Sequence, residues 1–192
     1  TQLQASKSLL FLVLLTFATA MPASSQLRLP ELQVEAPDQL KVISEEIRQL
    51  DIGRLGNVMR LIGLQEAGES IRVVLVTEDS RLARDISPWV AAFADPTNDL
   101  VVMFPARIGA YPYDSVEVVL HHEVAHILAS RAAGGNHLPR WFSEGLASTS
   151  ERSWGISSRS RFLLANVTNG EPTIAELDRL FYGTEPEIGQ AY

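Results

Sequence analysis

His122-Glu123-Val124-Ala125-His126, followed by Trp141-Phe142-Ser143-Glu144-Gly145-Leu146-Ala147, decides how this chain is read. On a helix, at about 100° per residue, His122 and His126 fall on nearly one line, so both imidazoles can reach one ion. Glu144, arriving on a later segment, supplies a carboxylate as third donor. Two histidines and one carboxylate, with a coordination position left for water, form the donor set of a catalytic zinc site. Glu123 lies on the flank of the histidines, inside an apolar stripe made by Val116, Val119, Leu120, Val124 and Ile127. A carboxylate in such a stripe is costly unless it has a partner or chemistry to perform. The chemistry expected is that of a general base, which takes a proton from a zinc-activated water and passes it to a leaving amine.

The flanking residues frame two helices. Asp114 with Glu117 three residues on has capping-box spacing, and Gly134-Gly135 and Pro139 supply the stop, so the first helix is expected from about Ser115 to Ala133. Pro139 opens a second helix, expected through Arg152, that carries Glu144 and Glu151. These two carboxylates are two turns apart and share a face. Glu151 is therefore expected to accept a hydrogen bond from the N–H of a zinc histidine, the plain alternative being a solvated helix carboxylate. His121 points about 100° away from His122 and reads as a helix-surface or supporting residue. His137, in the loop before Pro139, reads as exposed.

H-E-V-A-H, seventeen intervening residues and then Glu144 in the setting L-P-R-W-F-S-E-G-L-A resembles the gluzincin metallopeptidases, in particular the small peptidase MA-like bacterial proteins. The segment A-F-A-D-P-T-N-D-L-V-V-M-F-P at 92–105 resembles what precedes the zinc helix in that group, and E-G-L-A-S-T-S-E at 144–151 is similar to the zinc aminopeptidases as well. The resemblance covers about residues 71–151. It implies a zinc-dependent peptidase with His122, His126 and Glu144 as ligands and Glu123 as base. The G-x-M-E-N element by which aminopeptidases hold a free amine is absent, so endopeptidase action is expected. Thermolysin-like enzymes carry Asp four residues after the third ligand; Ser148 stands there in this chain, which leaves Glu151 as the substitute. In gluzincins the oxyanion donor is a Tyr or His downstream of the third ligand, and only Tyr182 and Tyr192 follow here, neither at a diagnostic spacing.

Lys7 and the apolar run Leu9 to Ala20 have the form of a signal peptide, shorter than a comfortable membrane span. Export follows, to the periplasm or the extracellular medium, with cleavage after Ala20 or Ser25; an uncleaved leader would be the chain's one contact with a membrane. The expected division is a signal peptide at 1–25 and a peptidase MA-like domain at 26–192, truncated at its C-terminus because such proteins begin a further helix near Tyr192. With no cysteine, neither a disulfide framework nor a lipid-attachment cysteine is available. A net charge of −7 spread along the chain, with no basic patch, excludes nucleic acid as a partner and leaves a peptide or protein substrate.

The remaining pattern is α+β. Residues 26–37 read as an extended lead-in. Leu40, Ile43, Ile47 and Leu50, then Leu55, Val58, Met59 and Ile62, recur at helical spacing. Ile71–Val76 and Leu100–Phe104 read as strands, Ser80–Ala94 as helical with a break at Pro88, and Thr173 with Glu176 as the cap of a helix to about Tyr182. The resemblance makes this a zincin-like half-domain, with a small sheet packed on the zinc helix and Leu100–Phe104 as the edge strand that pairs with substrate. Two other functions fit the same motif: an exported, non-catalytic zinc-binding or assembly factor, and a hydrolase of non-peptide amides. The intact Glu123 argues against the first.

Overall fold

The computed structural model describes residues 27–109, 115–150 and 173. The leader at 1–25, Asp114, Glu151, Arg152, Tyr182, Tyr192 and all but Thr173 of the expected C-terminal helix lie outside them. In chain order the elements are β1 (Leu32–Glu35), α1 (Lys41–Arg48), α2 (Leu55–Leu61), β2 (Ile71–Leu75), α3 (Arg81–Asp85), β3 (Ala92–Asp95), β4 (Leu100–Met103), α4 (Pro105–Ile108), α5 (Val116–Ala132) and α6 (Arg140–Ser148). Among the described residues no helix is long and apolar enough to cross a membrane.

The strands form one mixed sheet in the order β1-β2-β4-β3, with the first three parallel and β3 antiparallel to β4. Side-chain alternation along the strands divides the core in two. Ile71, Val73, Leu75, Val101 and Met103 face Leu120, Val124, Ile127 and Leu128 of α5 together with Leu55 and Met59. Val102, Phe104 and Val76 point the other way and pack with Ala83 of α3. Burial of α5 against the sheet and α2 holds the helix, since residues at 0% exposure such as Leu120 and Val124 each contribute roughly 1.5–3 kcal/mol.

Besides the second helix, expected through Arg152 but ending at Ser148 with Thr149 as its C-cap, two expectations change here. Leu100–Met103 is an inner strand, flanked by β2 and β3, and the edge on that side belongs to Ala92–Asp95, which overlaps the end of the Ser80–Ala94 segment expected to be helical. The pairing is set by the turn that joins β3 to β4. Asp95 Oδ1 accepts from the Thr97 N–H at 3.1 Å, its Oδ2 accepts from Asn98 Nδ2 at 2.7 Å, and Asp99 takes a left-handed φ of 48°, which a short polar side chain tolerates. Arg131, near the end of α5, grips the same turn through Asp99 Oδ1 at 2.9 Å and the loop before β2 through the Glu69 carbonyl at 2.8 Å. At the other end of β3, the buried Arg107 binds Glu78 through two oxygens at 2.9 and 3.1 Å, donates to the Ser87 and Val90 carbonyls and stacks over Phe104 at 4.1 Å. The edge strand is thereby fixed at both ends.

The second change concerns the start of α5. Its N-cap is Ser115, whose extended backbone (φ −144°, ψ 147°) lets Oγ accept from the Val118 N–H at 3.2 Å. The helix ends as a Schellman turn. Gly134 N–H donates to the Arg131 carbonyl and Gly135 N–H to that of Ser130, both at 3.0 Å, with φ of 62° and 75° at the two glycines. After this turn Pro139 caps α6, which packs back on α5 through Leu146 and Ala147 against Ala125 and Ala129.

Candidate metal centre

The hairpin of α5 and α6 brings His122, His126 and Glu144 together. One ligand atom from each lies within 4.8 Å of the others. Glu144 Oε2 is 3.3 Å from His122 Nε2 and 3.7 Å from His126 Nε2, and the two rings meet edge to face at 4.9 Å between centroids. Donors on a tetrahedral zinc with bonds of about 2.0–2.1 Å stand roughly 3.3–3.4 Å apart, so the two separations from Glu144 are close to those that this ion requires. One carboxylate charge and two imidazoles are also the donor chemistry that suits it.

The electrostatics favour ligation. Burial lowers the His126 pKa to about 4, and the His122 and Arg140 charges act in the same direction against Glu144. The ring is neutral near pH 7, with a lone pair to offer. On the far side of that ring, Nδ1 lies 2.8 Å from Ser143 Oγ. A metal at Nε2 leaves the proton on Nδ1, and Ser143 then accepts it as a hydrogen bond. Sequence reading missed this partner and looked instead to Glu151, which lies outside the described residues. Ser148 is committed elsewhere, donating to the Glu144 carbonyl at 2.9 Å.

Glu123 sits between α5 and β3. Burial pushes its carboxyl up to about 7, with Glu144 adding to the rise and His122 and a hydrogen bond from the Ala94 N–H pulling the other way. A carboxyl poised near neutrality beside a metal group suits proton transfer in both directions. Its bond to Ala94 also follows from the strand register. Phe104 N–H donates to the Ala91 carbonyl at 2.8 Å, so in the antiparallel ladder Phe93 and Asp95 face β4, while the N–H and C=O groups of Ala92 and Ala94 point away from it, toward α5.

His121 departs from its expected surface position. It is 1% exposed, on the flank of α5 away from the metal group; burial depresses its pKa, Glu117 and Asp51 act the other way, and its Nε2 is buried without a hydrogen-bond partner among the described residues. Its role is in packing α5 against the Asp51 loop. His137 is exposed. Comparison of the chain with family models, with curated proteins and with solved structures returns no match.

Proposed function

We propose that this chain is an exported zinc metallopeptidase of the gluzincin, peptidase MA-like kind, with a zincin-like fold, acting as an endopeptidase on peptide or protein substrates. The observation that carries the reading is the convergence of His122, His126 and Glu144 within 4.8 Å of one another beside a carboxyl poised near pH 7. Zinc, when bound, supplies Lewis-acid polarisation of a carbonyl and acidifies water. Glu123 accepts the proton of the attacking water and returns it to the leaving amine, and its bond from the Ala94 N–H aims it. The outward groups of β3 that Glu123 does not take, the Ala92 N–H and C=O and the Ala94 C=O, are suited to pair with an extended peptide, a mode that reads main chain more than side chains. That gives the substrate role to Ala92–Asp95 in place of Leu100–Phe104. In a non-catalytic zinc-binding factor the partly buried Glu123 would be a cost without a use.

The test is Glu123→Gln, nearly isosteric but unable to accept the proton. Zinc content by elemental analysis is expected to stay at one per chain while hydrolysis of an unfolded protein falls by at least about 100-fold. Equal rates for the two proteins would remove the general-base assignment.

A further inference from the structure

Arg140 is the first residue of α6, four positions before Glu144. As a helix stabiliser it is badly placed. A cation in the first turn opposes the helix dipole, and a basic residue N-terminal to its acidic partner is the weaker order of an i,i+4 pair. Its guanidinium nevertheless meets Glu144, with Nε 3.5 Å from Oε1, and the carboxylate is the more enclosed partner, 11% exposed against 43%. The two carboxylate oxygens are thus divided: Oε2 faces both imidazoles, and Oε1 faces Arg140.

We propose that Arg140 is a positioning residue that holds Oε1 away from the metal, so that Glu144 ligates through Oε2 alone and one coordination position stays open. This rests on the zinc reading above. A carboxylate released from such a contact can turn to bind through both oxygens, which fills the position needed for water and substrate. The contact contributes little to folding, because a half-exposed ion pair is a weak stabiliser. Its effect is on the geometry of the third donor.

The experiment compares wild type, Arg140→Met and Arg140→Lys by zinc affinity in chelator competition, by the visible spectrum of the cobalt(II)-loaded protein and by urea unfolding of the metal-free protein. In Arg140→Met, zinc affinity is expected to fall about 10–100-fold, as on loss of other groups that support ligands. The cobalt bands are expected to shift with the change in coordination number, while the metal-free unfolding midpoint stays at the wild-type value. Arg140→Lys is expected to recover the wild-type spectrum, since Nζ reaches at least as far along the stem as Nε. If wild type holds one zinc and Arg140→Met leaves affinity and spectrum unchanged, the positioning role is overturned and the zinc reading survives. A wild type that holds no zinc overturns both. If Arg140→Met lowers the metal-free midpoint, the cobalt spectrum decides, and an unshifted spectrum overturns the proposal.

Discussion

Ser143 shows how a small side chain sets the chemistry of a neighbour. Its hydroxyl stands 2.8 Å from His126 Nδ1, one residue before Glu144, so a single turn of α6 delivers both a donor to the site and the acceptor that orients another donor. Ser143→Ala removes that acceptor, letting the ring rotate and its tautomers mix. Zinc affinity is expected to fall by about 10–100-fold without outright loss of the metal, whereas Ser143→Thr, which keeps the hydroxyl, should hold near the wild-type value. Chelator competition separates the two variants. An unchanged affinity in Ser143→Ala would mean that water serves as well. The role was invisible in the sequence because Ser143 reads as an ordinary helix residue. Glu151, the candidate that the sequence offered, lies outside the described residues, and it is the packing of α6 on α5 that sets the Ser143 hydroxyl against the ring.

Among the elements, α5 and α6 were legible because each carries its own punctuation. Apolar residues at helical spacing, Gly134-Gly135 and Pro139 mark where α5 stops and α6 begins, and the glycines occupy the left-handed positions that such a stop demands. The edge strand β3 was not legible. Ala92-Phe93-Ala94-Asp95 has no two-residue alternation, all four residues being partly buried, and alanine favours helix when judged alone. What makes it a strand is pairing with β4 through the Asp95-Pro96-Thr97-Asn98-Asp99 turn; that cluster of turn residues between two apolar runs was the available signal for a hairpin. Two glycines put the same logic to the test. Gly134, at a φ of 62°, is expected to lose roughly 1–2 kcal/mol on substitution by Ala. Gly145 lies inside α6, where an added Cβ meets nothing within 4 Å, and Gly145→Ala is expected to gain roughly 0.5–1 kcal/mol. Urea midpoints read both, and a stabilising Gly134→Ala would refute the Schellman assignment at the end of α5.

At the scale of the whole molecule, the candidate metal group joins parts that the core holds by different means. His122 and His126 ride on α5, whose Leu120, Val124 and Ile127 are fixed in the main core against the sheet, whereas Glu144 rides on α6, which docks through the smaller cluster of Leu146, Ala147, Ala125 and Ala129. A shared ion would therefore cross-link the better-anchored helix to the less well-anchored one. Because the three donors converge only in the folded chain, zinc should stabilise it by mass action, about 2.7 kcal/mol at a hundredfold excess over Kd and about 4.1 kcal/mol at a thousandfold excess. The thermal midpoint is then expected to rise with free zinc and to fall on chelation. His122→Ala should abolish the zinc-dependent part of that shift while leaving the chelated protein close to wild type, since the ring lies at the margin of the core and not within it. His121→Ala should do the reverse: the zinc response persists, but the metal-free midpoint drops, because that ring is 1% exposed and packed beside the Asp51 loop. Calorimetry of the two variants with and without chelator distinguishes the histidine that binds from the one that packs. A zinc-dependent shift surviving in His122→Ala and lost in His121→Ala would show that the helix register at the metal group has been misread by one residue.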